Sequence, residues 1–139
     1  MNNGFSPAPI HKIASGGELS RFMLAFKSSL CSTKETETII FDEIDTGVSG
    51  SVAYAIGKEM QLLSKKSQII CITHNSQTAC CANEHLFVAK SNENDITKTI
   101  VKNLNYEERI RAIAEMISTD EITDEALQNA RKLIEKARL

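Results

Sequence analysis

Three short stretches of this chain carry residue types that act together in phosphoryl-transfer chemistry. Ser15-Gly16-Gly17-Glu18 opens a helical pattern. Glycines at a helix start let the backbone approach an anion closely, and the unpaired amides behind them donate to it. The Ser15 hydroxyl can donate to a phosphate oxygen or cap the helix. Asp42-Glu43 closes the apolar run that begins at Thr38. A carboxylate at the end of a buried strand can hold Mg2+ through its water shell, and its neighbour can polarise an attacking water. His74 closes a second apolar run, Gln68 to Thr73. An imidazole there can hydrogen-bond a terminal phosphate and the attacking water.

Each stretch also has a plainer reading. Ser15-Gly16-Gly17-Glu18 can be an ordinary capped helix start, Asp42-Glu43 an acidic pair facing solvent, and His74 a strand-end histidine satisfied by a loop carbonyl. Asp45, Thr46, Gly47 and Ser49 can contact a partner surface or form a polar turn. Arg21, one turn into the helix, is solvated or ion-paired by default, or turned toward an incoming phosphate. No G-x-x-x-x-G-K-[ST] loop occurs in the 139 residues, so these groups stand without the loop that cradles a nucleotide.

The elements that must position these groups follow from periodicity. Met1 to Lys12, with Pro7 and Pro9, reads as an extended lead-in. Leu19, Phe22, Met23, Phe26 and Leu30 form a helical stripe, and Ser15 with Glu18 makes an S-x-x-E capping box at its start. Ser32 to Thr38 is a polar connection. Thr38 to Phe41 is continuous in apolar character, as expected of a strand buried on both faces. Gly47 and Gly50 mark a loop, then Val52, Ile56, Met60 and Leu63 mark a helix. Gln68 to Thr73 is the second buried strand, and a short helix is predicted over Ser76 to Ala82. Leu86 to Ala89 and Thr97 to Val101 read as strands joined by the polar turn Ser91 to Asp95. Two helical stripes close the chain: Tyr106, Ile110, Ile113, Ala114 and Ile117, then Leu127, Ala130, Ile134 and Ala137. Thr123 is the predicted N-cap of the last helix, with Asp124 and Glu125 in its first turn. Strands alternating with helices predict an α/β architecture with a largely parallel sheet. In a parallel sheet the strand C-termini line the ligand crevice, so neighbouring strands would bring His74 close to Asp42 and Glu43.

Composition narrows the class. Hydrophobic content of 42% and charged content of 24% are those of a globular domain. A net charge of −2 argues against a domain that binds nucleic acid chiefly through its own field. No apolar run has the length of a membrane span and the N-terminus lacks a signal-peptide core, which predicts a soluble cytoplasmic protein. None of the cysteines, Cys31, Cys71, Cys80 and Cys81, forms a C-x-x-C pair, and buried free thiols are expected. His11 and His85 read as structural or solvated.

The order of these motifs resembles the second half of an ABC-type ATPase. By that resemblance Ser15–Glu18 matches the signature motif, Asp42-Glu43 the Walker B pair, Asp45 the D-loop and His74 the switch histidine. More narrowly, KIASGGELSRFMLAFK, IIFDEIDTGVSG and CITHNSQTA are similar to the C-terminal ATPase lobe of the bacterial RecN DNA repair family. That family stands with the structural-maintenance-of-chromosomes (SMC) ATPases. The similarity spans nearly the whole chain. One departure is local: Asn75 and Ser76 follow His74 where the family carries an apolar residue and then proline.

The resemblance implies a single partial domain over residues 1–139, the C-terminal lobe of an ABC-type P-loop ATPase head with a mostly parallel sheet flanked by helices. The Walker A lobe and a long coiled coil would lie elsewhere in the protein, and an uncovered sheet face is expected on this half. ATP and Mg2+ are the implied cofactors. Asp42 would hold Mg2+ indirectly, Glu43 would position the hydrolytic water, and His74 would sense the γ-phosphate of its own head. Ser15, Gly16, Gly17 and Glu18 would face the nucleotide of an opposing head, and Asp45 would communicate across the homodimer. Implied partners are the Walker A lobe, a second head, and DNA through the full-length protein, in a nucleoid-associated role in double-strand break repair and recombination. Two other readings stay open. Half of another ABC-family ATPase would show a Walker A segment without coiled coil, and a non-catalytic interaction remnant would have no Walker A partner.

Overall fold

The computed structural model describes residues 14–30, 38–93, 96–118 and 121–138. The lead-in over Met1 to Lys12, His11, Cys31 and nearly all of the connection from Ser32 lie outside these residues. The element order is α1 (Gly16–Leu30), β1 (Thr38–Asp42), α2 (Gly50–Leu63), β2 (Gln68–Ile72), α3 (Ser76–Ala79), β3 (Leu86–Glu93), β4 (Ile96–Asn103), α4 (Tyr106–Ile117) and α5 (Asp124–Arg138). This is the expected α/β alternation.

β1 and β2 pair in parallel, with Ile40 opposite Ile70 and Asp42 opposite Ile72. Such a pair needs a crossover, and α2 supplies it. Ile39, Phe41, Ile69 and Cys71 face a core shared with Leu24 of α1, Ile44, and Ile56, Met60 and Leu63 of α2. The opposite face is open: Ile40 is 64% exposed, Ile70 41% and Ile72 56%. The expectation of burial on both faces is therefore corrected to one covered face, because α1 and α2 both pack into the core on that side.

Among the described residues the parallel pairing is confined to β1 and β2, since β3 and β4 form a separate antiparallel hairpin. Both hairpin strands run further than their apolar cores, through Ser91 to Glu93 on one side, and Asn94 and Asp95 of the expected turn are outside the described residues.

α4 and α5 pack as a helical pair on a second core in which Ile110, Ile113, Ala130 and Ile134 meet Cys80 and Cys81. Alanines on α5 let the helices approach closely. α4 begins with a capping box that periodicity does not show: Asn105 Oδ1 accepts from the Glu108 amide at 3.0 Å, and Glu108 accepts from the Asn105 amide at 3.0 Å. α5 begins as expected, with Thr123 Oγ1 accepting from the Ala126 amide at 3.2 Å. α2 meets α3 at Gly57, where an added Cβ would stand 2.9 Å from Cys81 Sγ and 3.2 Å from the Thr78 carbonyl oxygen.

Candidate functional site

The parallel register builds the site. Asp42 lies opposite Ile72, so the chain leaves the two neighbouring strands on the same edge, carrying Asp42-Glu43 from β1 and Thr73-His74 from β2. Asp42, Glu43 and His74 are all exposed there. The expected neighbourhood of the acidic pair and the histidine is therefore present.

After β1 the chain folds into a tight turn, with the Thr46 amide donating to the Glu43 carbonyl at 3.2 Å. Glu43 has φ 53° and Gly47 φ 71°. A left-handed glutamate is uncommon and costs backbone energy unless its surroundings hold it. Here they do, from two sides.

From one side comes α1. Its capping box is complete: the Ser15 amide donates to Glu18 Oε2 at 2.8 Å, and the Glu18 amide donates to Ser15 Oγ at 3.3 Å. These bonds, the backbone one first, hold the Glu18 carboxyl below its usual range. Gly16 and Gly17 are left as first-turn residues whose amides have no intrahelical acceptor. Gly17 also packs against the turn, since a Cβ there would stand 3.3 Å from the Glu43 carbonyl oxygen. Arg21 completes the contact, with Nη1 donating to the carbonyl oxygens of Ile44 at 3.0 Å and Thr46 at 3.3 Å. The sequence left Arg21 as solvated, ion-paired or phosphate-facing; in the structure it clasps backbone.

From the other side comes the loop after β2. Asp45 is buried, at 4% exposure, and its Oδ2 accepts from the Thr73 hydroxyl. The structure thus brings Asp45 to the His74 loop of its own chain and does not place it with the exposed residues. Thr73 Oγ1 in turn accepts from the Asn75 amide at 2.9 Å, and Asn75 Oδ1 accepts from the Gln77 amide at 3.0 Å to cap α3. The residue that departs from the family pattern after His74 therefore starts a helix. Burial, then the carboxylates of Asp45 and Asp42, pushes the Cys71 thiol up to about 12.

Arg109 was missed by periodicity, which reads an arginine in an amphipathic helix as surface. It is 6% exposed. Its guanidinium donates to the carbonyls of Cys80 at 2.9 Å, Asn83 at 3.2 Å and Ala82, closing the end of α3. Cys80 and Cys81 are buried free thiols beside it.

The donors suit a hard cation that is bound mainly by its own water and by phosphate. Asp42 offers an exposed carboxylate at a strand end with Glu43 next to it, and Mg2+ takes one or two carboxylates in such sites. Among the described residues no cluster of three or more ligating side chains forms a self-contained metal cage. Among them, too, no helix is long and apolar enough to cross a membrane.

No protein-family model matches the chain. Its sequence is 45% identical to the DNA repair protein RecN of Bacillus subtilis over 136 residues, covering 98% of this chain and 24% of that protein. RecN of Rickettsia bellii is 47% identical over 133 residues, 96% of this chain and 24% of RecN. RecN of Vibrio cholerae is 40% identical, with the same coverage of 96% and 24%. The chain thus spans about a quarter of the length of the curated relatives it matches. A solved structure from work on the ATP-driven dimerization and DNA-stimulated activation of SMC ATPases aligns with a TM-score of 0.54 at 19% identity. It covers 85% of this chain and 70% of that one. The chain shares its α/β fold with that structure.

Proposed function

We propose, for a chain similar to the C-terminal ATPase lobe of RecN, that it supplies half of an ATP-hydrolysing head in DNA double-strand break repair and recombination. On this reading the chain is one partial domain. It completes its site with a Walker A lobe and pairs with a second head around ATP. The carrying observation is the β1–β2 register, which sets Asp42, Glu43 and His74 at one edge with Gly17 packed against the same turn.

Each residue then has a defined task. Glu43 positions and deprotonates the attacking water. His74 hydrogen-bonds the γ-phosphate of the same head. The amides of Gly16 and Gly17 and the Ser15 hydroxyl face the γ-phosphate held by the opposing head, where a helix N-terminus favours negative charge. Glu18 holds Ser15 and the turn in shape. Asp42 would hold Mg2+ through water, and the ion would offset the charge of the transferred phosphoryl group. Asp45 contributes to communication between heads. The open sheet face of Ile40, Ile70 and Ile72 supports a covering partner lobe. DNA is engaged through the full-length protein, in keeping with the chain's own charge of −2.

The test is reconstitution. The chain alone is expected to release no phosphate from Mg-ATP above background. Co-expressed with a RecN-type Walker A lobe it gains hydrolysis, and Glu43→Gln lowers that rate by roughly a hundredfold or more while ATP binding persists. Hydrolysis by the isolated chain that Glu43→Gln abolishes would contradict the divided site.

A further inference from the structure

We infer that Asp45 is a positioning residue for His74, acting through the side chain of Thr73. The inference deepens the ATPase reading and rests on it for the importance of His74.

Its basis is a run of bonds that encloses the histidine. Asp45 Oδ2 accepts the Thr73 hydroxyl proton, and the same Thr73 oxygen accepts the Asn75 amide at 2.9 Å. His74 is the residue between them. A hydroxyl has one proton, so donating it to Asp45 turns the oxygen's lone pairs toward the Asn75 amide. Remove the carboxylate, and the hydroxyl is free to rotate and the small loop around His74 loses its closure. Asn75 is further fixed because its side chain caps α3 through Gln77 at 3.0 Å, and Arg109 holds the far end of that helix. The imidazole itself is exposed and makes no hydrogen bond among the described residues, so its direction comes from the backbone on either side.

The burial of Asp45 is informative on this point. A carboxylate at 4% exposure is costly unless bonded, and its second oxygen, Oδ1, has no partner among the described residues. A residue kept only for fold stability would be better served by an apolar side chain. Among the described residues, the one bond that the Asp45 side chain makes is the one that orients Thr73. The same turn carries Glu43, so water-positioning and phosphate-sensing groups share a single hydrogen-bonded frame.

The experiment uses the 139-residue chain, isotopically labelled, without nucleotide. Side-chain couplings of His74 report its rotamer populations, and hydrogen exchange reports the Asn75 amide. Asp45→Leu, which removes the acceptor, and Thr73→Val are each expected to spread His74 from one dominant rotamer over several. Both should speed Asn75 exchange by roughly fivefold. Thr73→Ser, which keeps the hydroxyl, is expected to restore both values. Unchanged His74 populations in a folded Thr73→Val chain would overturn the inference, even if the melting temperature falls. Should Thr73→Val not fold because it leaves the buried Asp45 carboxylate unpaired, Asp45→Leu with Thr73→Val carries the same test, since both partners of the bond are then apolar. Failure of the ATPase reading shows separately, as absent hydrolysis by the unsubstituted chain with its Walker A lobe.

Discussion

Arg21 Nη1 donates to the Ile44 carbonyl oxygen at 3.0 Å, tying the helix that begins with two glycines to the turn that carries Glu43. The second bond, to Thr46 at 3.3 Å, makes the guanidinium a clasp over both ends of that turn. A charged donor to a partly buried carbonyl is worth more than a neutral one. Arg21→Ala is therefore expected to lower unfolding free energy by about 2 kcal/mol, read as a lower urea midpoint with unchanged slope. A merely solvated arginine would give a change within about 0.5 kcal/mol.

The two glycines of the same helix start should separate by stability. A Cβ on Gly16 meets nothing within 4 Å, whereas one on Gly17 comes within 3.0 Å of Arg21 Nη1 and 3.3 Å of the Glu43 carbonyl oxygen. Gly16→Ala is expected to raise stability by up to about 1 kcal/mol, through the loss of backbone freedom in the unfolded chain. Gly17→Ala is expected to cost about 1 kcal/mol or more, because it pushes the clasp off the turn. Thermal melts of the two variants moving the same way would contradict the packing described.

Arg109 makes a larger prediction. Its guanidinium serves the carbonyls of Cys80, Ala82 and Asn83, and its truncation strips all three at once. Arg109→Ala should cost about 3 kcal/mol, and Arg109→Lys should recover only part, since an ammonium cannot span three carbonyls with a planar fork. Denaturant titrations of both variants check the order.

Glu18 links the helix start to pH. Its carboxyl sits below the ordinary value of 4.5 because the folded chain hydrogen-bonds the charged form through Ser15. A depressed folded value means the contribution is fully present above the unfolded value and is lost as pH falls through the folded one. Glu18→Gln keeps a capping-box side chain without the titration. The stability gap between the original chain and this variant should therefore be constant above the ordinary value and close on the acid side, as measured by urea unfolding from about pH 7 to about pH 2. A gap that persists into acid would show that the carboxylate charge is not its source.

These results mark which features local sequence encodes. The Ser15–Glu18 and Thr123 caps were legible because both partners of each bond lie within one turn. The strand ends at Asp42 and Ile72 were legible to within a residue because apolar runs stop there. The direction in which α1 faces was not. Its stripe of Phe22, Met23 and Phe26 is exposed, with the two phenyl rings stacked at 6.2 Å, while Leu24 enters the core. An apolar stripe says that a face is to be covered, not by what. The bonds of Asp45 to Thr73, Arg21 to Ile44 and Arg109 to Cys80 join residues far apart in sequence, and a left-handed glutamate has no local signature. The candidate site was thus readable as a set of residues but not as the frame that holds them.

The open sheet face supplies the last prediction. Ile40 and Ile70 sit opposite one another on β1 and β2, 64% and 41% exposed, on the side away from the core. Because they bury little in the chain itself, Ile40→Ser with Ile70→Ser should shift its stability by no more than about 1 kcal/mol. If a Walker A lobe covers this face, the same pair loses the burial of two large side chains on association, each worth about 1.5 kcal/mol or more. That corresponds to a Kd weaker by on the order of a hundredfold. Titrating a labelled Walker A lobe with both forms of the chain measures the difference. Equal affinities would mean that the lobe docks elsewhere, and a large drop in the chain's own melting temperature would mean that the face is part of its core.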